Sequence, residues 1–251
     1  MRATSLAYWL SLLILLPFAS VAEEPLRFGT FQNTQSPVLH VCERVLREAY
    51  ASLGRSIEVE HLPAERSLFW AISGRLDGDL CRGQSNSELL LVPTPVYYWQ
   101  MGVFSNRPLS IQSWEDLKPY KIAYERGMSL ISEHQELDLV PVNSIESGIN
   151  LLSTKRIDVL LDDYNSVLYA ARKMQVDNLF AHQQRLAQGP TYHLLNKKHA
   201  ALAAQLDLVL TQMARDGRIA QIEKEVMAEF MLDADQSISP EQETTNPEVG
   251  A

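Results

Sequence analysis

Short strand patterns and amphipathic helix patterns alternate along this chain, and the alternation occurs twice. The first round consists of LRFGT, a helix pattern over 38–53, SIEVEHL, the helix pattern AERSLFWAIS and a third strand. The second round consists of KIAYE, a helix after RGMS, LVPV, the helix SIESGINLLSTK and RIDVLL. Strands joined by single helices form mostly parallel sheets with helices on their faces. The sequence therefore predicts an α/β protein with two similar lobes.

Two similar phrases mark equivalent places in the two rounds. Residues 75–82 read RLDGDLCR and residues 155–163 read KRIDVLLDD, and each phrase follows a predicted helix. The first ends in Cys81 and Arg82, and the second ends in Asp162 and Asp163. Because parallel strands carry ligand sites at their carboxyl ends, a cation and an anion are predicted at equivalent strand ends.

Two extended segments are predicted to connect the lobes as a two-strand hinge. They are LLLVPTPVYYWQMGVFS at 89–105 and GPTYHLLNKK at 189–198. Lobe 1 is accordingly predicted as the discontinuous segments 23–98 and 193–235, and lobe 2 as 99–192. The polar, aperiodic segment 236–251 is predicted to be a disordered tail.

The first 22 residues have the pattern of a cleavable secretory signal peptide. Arg2 precedes an apolar stretch from Leu6 to Phe18, and the small residues Ser20 and Ala22 stand at cleavage positions. A membrane anchor is disfavoured because a spanning helix needs about 20 apolar residues. The mature protein is expected to be soluble and exported to the periplasm.

Charge and cysteine content restrict the partners and the stabilising chemistry. The net charge of −9 repels phosphate backbones, so nucleic acid is not an expected partner. The two cysteines, Cys42 and Cys81, either form a disulfide in an oxidising compartment or are two small buried hydrophobic residues. Their spacing does not decide between these alternatives.

In order and spacing, these segments resemble the periplasmic solute-binding proteins of family 3, which serve polar amino acid uptake. The markers are LPAERSL with LDGDLCR, LLLVPTPVYY, SWEDLKPYKIAYERGMS, RIDVLLDD and LDLVLTQMARDGRIAQI. The resemblance implies a monomer whose two lobes close on a small polar solute in the interlobe cleft. It also implies a membrane permease complex of the ABC type as the partner. A sensory or partner-binding module of the same fold is the alternative.

The family's carboxylate-binding arginine, in a Thr-x-x-Arg pattern, is missing, since GQSNSELL contains no arginine. Arg82 resembles a position used by a divergent branch of the family, and Arg66 lies near the start of the second helix. The alternatives are a salt bridge from Arg82 to Glu88 or Asp79 and an ordinary helix-surface charge for Arg66. This departure weakens the expectation of an ordinary amino acid as ligand.

The second lobe supplies the other predicted ligand contacts. The glycine turn of the family corresponds to Gly127, with the N–H groups of Met128 and Ser129 opening a helix toward an anion; a plain serine cap is the alternative. Asp163 matches the family's amine-binding aspartate, and its alternative role is the N-cap of the helix YNSVLYAARKM. Neighbouring side chains point to opposite faces of a strand, so only one of Asp162 and Asp163 is expected to reach the cleft.

The aromatic residues after the crossing prolines are either ligand-stacking rings or core. Of Tyr97, Tyr98 and Trp99, Tyr98 is included in the predicted site.

Catalytic and metal-binding motifs are missing from the sequence. The six histidines form no His-x-x-x-His pair, and no nucleophile elbow, phosphate-binding loop or dinucleotide fingerprint occurs. The chain is therefore predicted to be a binding protein that uses no cofactor and no metal, and not an enzyme.

Overall fold

The computed structural model describes residues 24–31, 36–83, 86–126 and 128–230. The first part of the chain contains β1 (Leu26–Phe31), α1 (Pro37–Ser52), β2 (Ile57–Leu62), α2 (Ala64–Ile72), β3 (Gly78–Arg82) and β4 (Leu89–Leu91). The signal-peptide prediction over 1–22 and the tail prediction over 236–251 lie outside the described residues.

A long strand then leads into the second set of elements. These are β5 (Tyr97–Ser105), a 3-10 turn (Glu115–Leu117), β6 (Lys121–Glu125), α3 (Ser129–Ser132), β7 (Asp138–Val142), α4 (Ile145–Ser153), β8 (Val159–Asp163) and α5 (Tyr164–Lys173). The chain returns through β9 (Phe180–Asn196), a 3-10 turn (Lys197–His199), α6 (Ala200–Arg215) and α7 (Arg218–Glu229).

The strands pair in the order β2-β1-β3-β9-β5-β8-β6-β7, and β4 also pairs with β9. Within lobe 1, β1 runs parallel to β2 and β3; within lobe 2, β6 runs parallel to β7 and β8. The crossing strands β5 and β9 are antiparallel to each other and join the two parallel sets. The prediction of two lobes with mostly parallel sheets is confirmed, whereas the residue boundaries of the lobes stay a prediction.

One strand is longer than the sequence indicated. The return crossing was predicted over 189–198, but β9 already begins at Phe180. Its first half, FAHQQRLAQ, lacks the apolar alternation that indicates a strand. The segment is nevertheless a strand, because its backbone pairs with β5. Pairing of this kind depends on the neighbouring strand and leaves no pattern in the segment itself.

The helices form where the apolar periodicity placed them. The apolar face of α1 is buried in the lobe 1 core, against Phe28 and the last two helices. The chain leaves α1 through Gly54, whose φ of +70° lies in the left-handed region that glycine adopts without a penalty. In lobe 2, Ser144 caps α4 by accepting a hydrogen bond from the backbone N–H of Ser147 at 3.2 Å.

Separate apolar clusters lie in the two lobes. The larger lobe 1 cluster is built around β1, β3, α1, α6 and α7, and a smaller one joins α2, β4 and β9. Lobe 2 has one cluster on each face of its sheet. Trp99 packs against both the lobe 1 cluster and one lobe 2 cluster. Among the described residues, no helix is both long enough and apolar enough to cross a membrane.

Candidate functional site

The helices that follow β1 in lobe 1 and β8 in lobe 2 begin close to one another. Ser36, directly before α1 in lobe 1, is hydrogen bonded to Ser166 in the first turn of α5 in lobe 2, with 3.2 Å between their Oγ atoms. Each helix follows the carboxyl end of a parallel strand, β1 and β8 respectively. Ligand sites of open α/β sheets form at such strand ends, so this region is the candidate site.

Arg82 ends β3 and is held in place by a buried carboxylate. Its Nε donates to Asp79 Oδ1 at 2.9 Å, and its Nη2 donates to Asp79 Oδ2 at 2.7 Å. Nη2 also donates to the carbonyl of Ala64, the first residue of α2, at 2.8 Å. The Arg82 side chain is only 14% exposed and Asp79 is fully buried. The fork-to-fork geometry fixes the orientation of the guanidinium plane.

A serine and a glycine complete the surroundings of Asp79. Ser67 Oγ donates to Asp79 Oδ2 at 2.6 Å. Gly29 lies opposite Asp79 in the β1–β3 pairing, and a Cβ at Gly29 would lie 2.1 Å from Ser67 Oγ. Only a residue without a side chain leaves room for this serine, so Gly29 in β1 is needed for the hydrogen bond from Ser67 to Asp79, the partner of Arg82.

Asp163 ends β8 and caps α5. Its Oδ1 accepts hydrogen bonds from the Ser166 backbone N–H at 3.0 Å and from Ser166 Oγ at 2.9 Å. Burial raises its pKa, and the hydrogen bonds from Ser166 oppose that rise. Since Ser166 also contacts Ser36, the Asp163 carboxylate belongs to a hydrogen-bonded chain that links the two lobes.

Two further groups lie near Asp163. Burial raises the pKa of Glu223 on α7 and of Tyr97, and the negative charge of Asp163 raises both pKa values further. The Tyr97 hydroxyl also accepts a hydrogen bond from Asn165 Nδ2 at 3.2 Å. Glu223 was missed by sequence reasoning because an acid in a mostly polar helix carries no distinguishing signal.

The glycine turn falls partly outside the described residues. Gly127 is not described, and neither is the side chain of Ser129. The Met128 backbone N–H donates to the carbonyl of Glu125 at 3.3 Å, and α3 is only four residues long. The predicted contact of this turn with an anion stays a prediction.

The remaining predicted residues lie at the surface. Arg66 is exposed on α2, and Tyr98 is 59% exposed on β5. Tyr97, by contrast, is buried in the lobe 1 core.

Trp99 lies between the lobes, beside the Arg82 strand end. A Cβ at Gly189 would lie 2.9 Å from Trp99 Cζ2, and one at Gly83 would lie 3.3 Å from Trp99 Nε1. Gly83 directly follows Arg82 in the chain. Trp99 was left out of the predicted site, although period-two alternation from the exposed Tyr98 places it on the opposite face of β5.

Cys42 and Cys81 form a disulfide with 2.06 Å between the sulfur atoms, which joins α1 to β3 one residue before Arg82. Thr191 Oγ1 on the return crossing strand lies 3.1 Å from Cys81 Sγ. The bridge therefore ties the arginine strand end to a lobe 1 helix beside the hinge. Among the described residues, no group of three or more histidine, cysteine or acidic side chains is arranged to hold a metal ion.

No protein-family model matches the chain. An uncharacterized protein of Shewanella oneidensis is 28% identical over 206 residues, which cover 75% of this chain and 76% of that protein.

Solved structures with a similar architecture cover most of the chain. The GluR0 ligand-binding core in complex with L-glutamate has a TM-score of 0.70 at 16% identity and covers 82% of this chain and 99% of its own. A histidine kinase sensor domain with similarity to periplasmic binding proteins has a TM-score of 0.69 at 16% identity, covering 87% and 99%. This chain has the periplasmic-binding-protein-like fold.

A third protein with this fold is the substrate-binding protein of an amino acid ABC transporter. Its TM-score is 0.64 at 14% identity, and the match covers 80% of this chain and 98% of that protein. The likeness of this chain to these three structures is a likeness of fold, and the expectation of a binding protein rather than an enzyme stays a prediction.

Proposed function

We propose that this chain is a periplasmic receptor that captures a small polar solute, bearing a carboxylate and an amine, between its two lobes for an ABC-type transporter. The observation that carries the proposal is the pair of opposite charges at equivalent strand ends, Arg82 in lobe 1 and Asp163 in lobe 2. A zwitterionic solute needs a cation and an anion on opposite sides.

Preorganisation supports the role of Arg82. Because Asp79 and Ala64 hold the guanidinium in one orientation, a ligand does not have to order a flexible side chain. Asp79 also offsets most of the charge of Arg82, so recognition at this end depends on directed hydrogen bonds more than on long-range attraction.

The amine would be bound at Asp163, where Glu223 adds a second carboxylate from lobe 1. An ammonium group near Asp163 would stabilise the charged forms of both acids and oppose the pKa rise that burial causes. Because these acids come from different lobes, the same group would favour the closed arrangement.

The ligand can be found by a thermal-shift screen of amino acids, polyamines and organic acids, since binding to the folded state raises the melting temperature. We expect Arg82→Ala to lower the affinity of the best carboxylate-bearing hit by at least about tenfold in calorimetry, from loss of a charge-assisted hydrogen bond. Arg215→Ala, which removes an exposed arginine from the end of α6, is the matched control and should bind like the wild type. Unchanged affinity in Arg82→Ala would reject the assignment of this residue.

A sensory role is the second candidate, favoured by the similarity to the histidine kinase sensor domain. Both functions use the same cleft, so ligand binding does not distinguish them. Transport predicts that loss of the protein abolishes uptake of the radiolabelled hit by cells, whereas a sensor predicts normal uptake and an altered transcriptional response.

A further inference from the structure

Two acids lie side by side where β6 and β8 end. The two strands are parallel, with Tyr124 opposite Leu161, and Glu125 and Asp162 are the next residue of each strand. Residues at matching positions of neighbouring parallel strands point to the same face, and the strands are about 4.8 Å apart. The two carboxyl groups are therefore neighbours on one face of the lobe 2 sheet.

Asp162 is buried and incompletely hydrogen bonded. The residue is 3% exposed, and its Oδ1 accepts a hydrogen bond from the Asp163 backbone N–H at 2.7 Å. Its Oδ2 is buried and has no hydrogen-bond partner. Folded proteins rarely leave a buried carboxylate oxygen unpaired, because its lost hydration is not replaced.

The charged groups facing this pair are mostly acids. The charge of Glu146, in the first turn of α4, raises the pKa of Glu125, and the charge of Asp163 raises the pKa of Asp162. From β5, the residue opposite Asp162 is Gly102. On β9, Arg185 lies over the Tyr164 ring of α5, with Cζ 3.4 Å from the ring centre, and Nη1 donates to the carbonyls of His182 and Gln183.

Both pKa values reflect these surroundings. The pKa of Glu125 is raised to about 7, mainly by burial and to a smaller extent by the charge of Glu146. The pKa of Asp162 is raised well above its ordinary value, mainly by burial and to a smaller extent by the charge of Glu125. Two neighbouring carboxyl groups that are shielded from water do not both ionise readily, so one proton remains with the pair near neutral pH.

We propose that Glu125 and Asp162 form a hydrogen-bonded acid–carboxylate pair that shares one proton and makes lobe 2 more stable in mild acid than in mild alkali. The shared proton supplies the partner that Asp162 Oδ2 lacks. The proposal rests on the packing of lobe 2 and is independent of the proposed ligand and of transport.

The direction of the pH effect follows from proton linkage. The folded chain holds the proton more tightly than the unfolded chain, in which carboxyl groups titrate near pH 4. The stabilisation from Glu125 is fully present below that pH and is lost as the pH rises through its folded pKa of about 7. The stabilisation from Asp162 is lost as the pH rises through the raised pKa of that residue. Only above the raised pKa values of both groups are both acids charged, and they then repel each other.

The test compares melting temperatures at pH 5 and pH 8 for the wild type, Asp162→Asn and Glu125→Gln. An amide keeps a donor in the pair without an ionisable proton, so each variant should gain at least about 2 °C relative to the wild type on going from pH 5 to pH 8. Glu133→Gln, which changes an exposed acid of lobe 2, is the control and should follow the wild-type pH curve. Variants that follow the wild-type curve would overturn the proposal.

A measurement on the wild type covers the case in which a variant does not fold. Carbon-detected NMR titration of the side-chain carboxyls should show one group of the pair protonated above pH 6. Titration of both groups near pH 4 would rule out the shared proton, whether or not a ligand is ever found.

Discussion

At the scale of single residues, Arg82 illustrates how a charge predicted at a strand end acquires its orientation. The sequence offered Asp79 or Glu88 as its salt-bridge partner, and the structure pairs it with Asp79, three residues earlier on β3. The cluster then depends on Ser67 and on the absence of a side chain at Gly29. A salt bridge and a ligand contact are not exclusive for Arg82, because the bridge positions the group that would meet the ligand.

We expect Asp79→Ala to destabilise the protein by about 3–5 kcal/mol, because it leaves the mostly buried Arg82 without its counter-ion. Urea denaturation measures the free energy of unfolding. Asp177→Ala, at an exposed position of lobe 2, should change it by no more than about 0.5 kcal/mol. Equal effects of the two substitutions would mean that the Asp79–Arg82 pair contributes nothing to stability.

At the scale of elements, the disulfide and the two crossing strands position the ends of β3 and β8. Cys42 lies on α1 and Cys81 on β3, so the bridge joins a helix to the strand that carries Arg82. Asp163 is placed differently, by its capping bonds to the first turn of α5. One charge is thus held by a covalent link and an ion pair, and the other by the start of a helix.

The bridged cysteines are 39 positions apart in the sequence, so the bridge restricts the unfolded chain substantially. Replacing both cysteines by alanine should lower the free energy of unfolding by about 2–4 kcal/mol, measured in urea. Reductant should destabilise the wild type by a similar amount and leave the double variant unaffected. A double variant as stable as the wild type would contradict a stabilising bridge.

At the scale of the whole molecule, a few contacts beside the hinge join the two lobes. Ser36 meets Ser166, and the ring of Tyr169 on α5 contacts Phe230 after α7 with 4.8 Å between ring centres. Trp99 on the crossing strand packs against apolar clusters of both lobes. Any rotation of one lobe relative to the other therefore changes the surroundings of Trp99.

Ligand binding should change the intrinsic fluorescence of the protein mainly through Trp99. We expect Trp99→Phe to lose most of the ligand-dependent signal, while Trp70→Phe and Trp114→Phe, within single lobes, keep it. The measurement uses the hit from the thermal-shift screen. An undiminished ligand-dependent fluorescence change in Trp99→Phe would show that ligand binding does not alter the surroundings of Trp99.

The sequence by itself determined the α/β class, the two lobes, the buried helix faces and the strand ends that carry Arg82 and Asp163. These features depend on local periodicity, since a helix or strand with one apolar face buries it wherever it packs. The bridge between Cys42 and Cys81 stayed open, and the first half of β9, Glu223 and the role of Trp99 were missed.

Only the tertiary structure decided which side chains meet. It paired Tyr124 with Leu161, which brings Glu125 and Asp162 to neighbouring strand ends, closed the disulfide, and placed Trp99 against both lobes. These contacts join residues far apart in the chain, and they depend on strand register and on the packing of separate elements. A local pattern records which face of an element is buried, but it does not record which partner that face will meet.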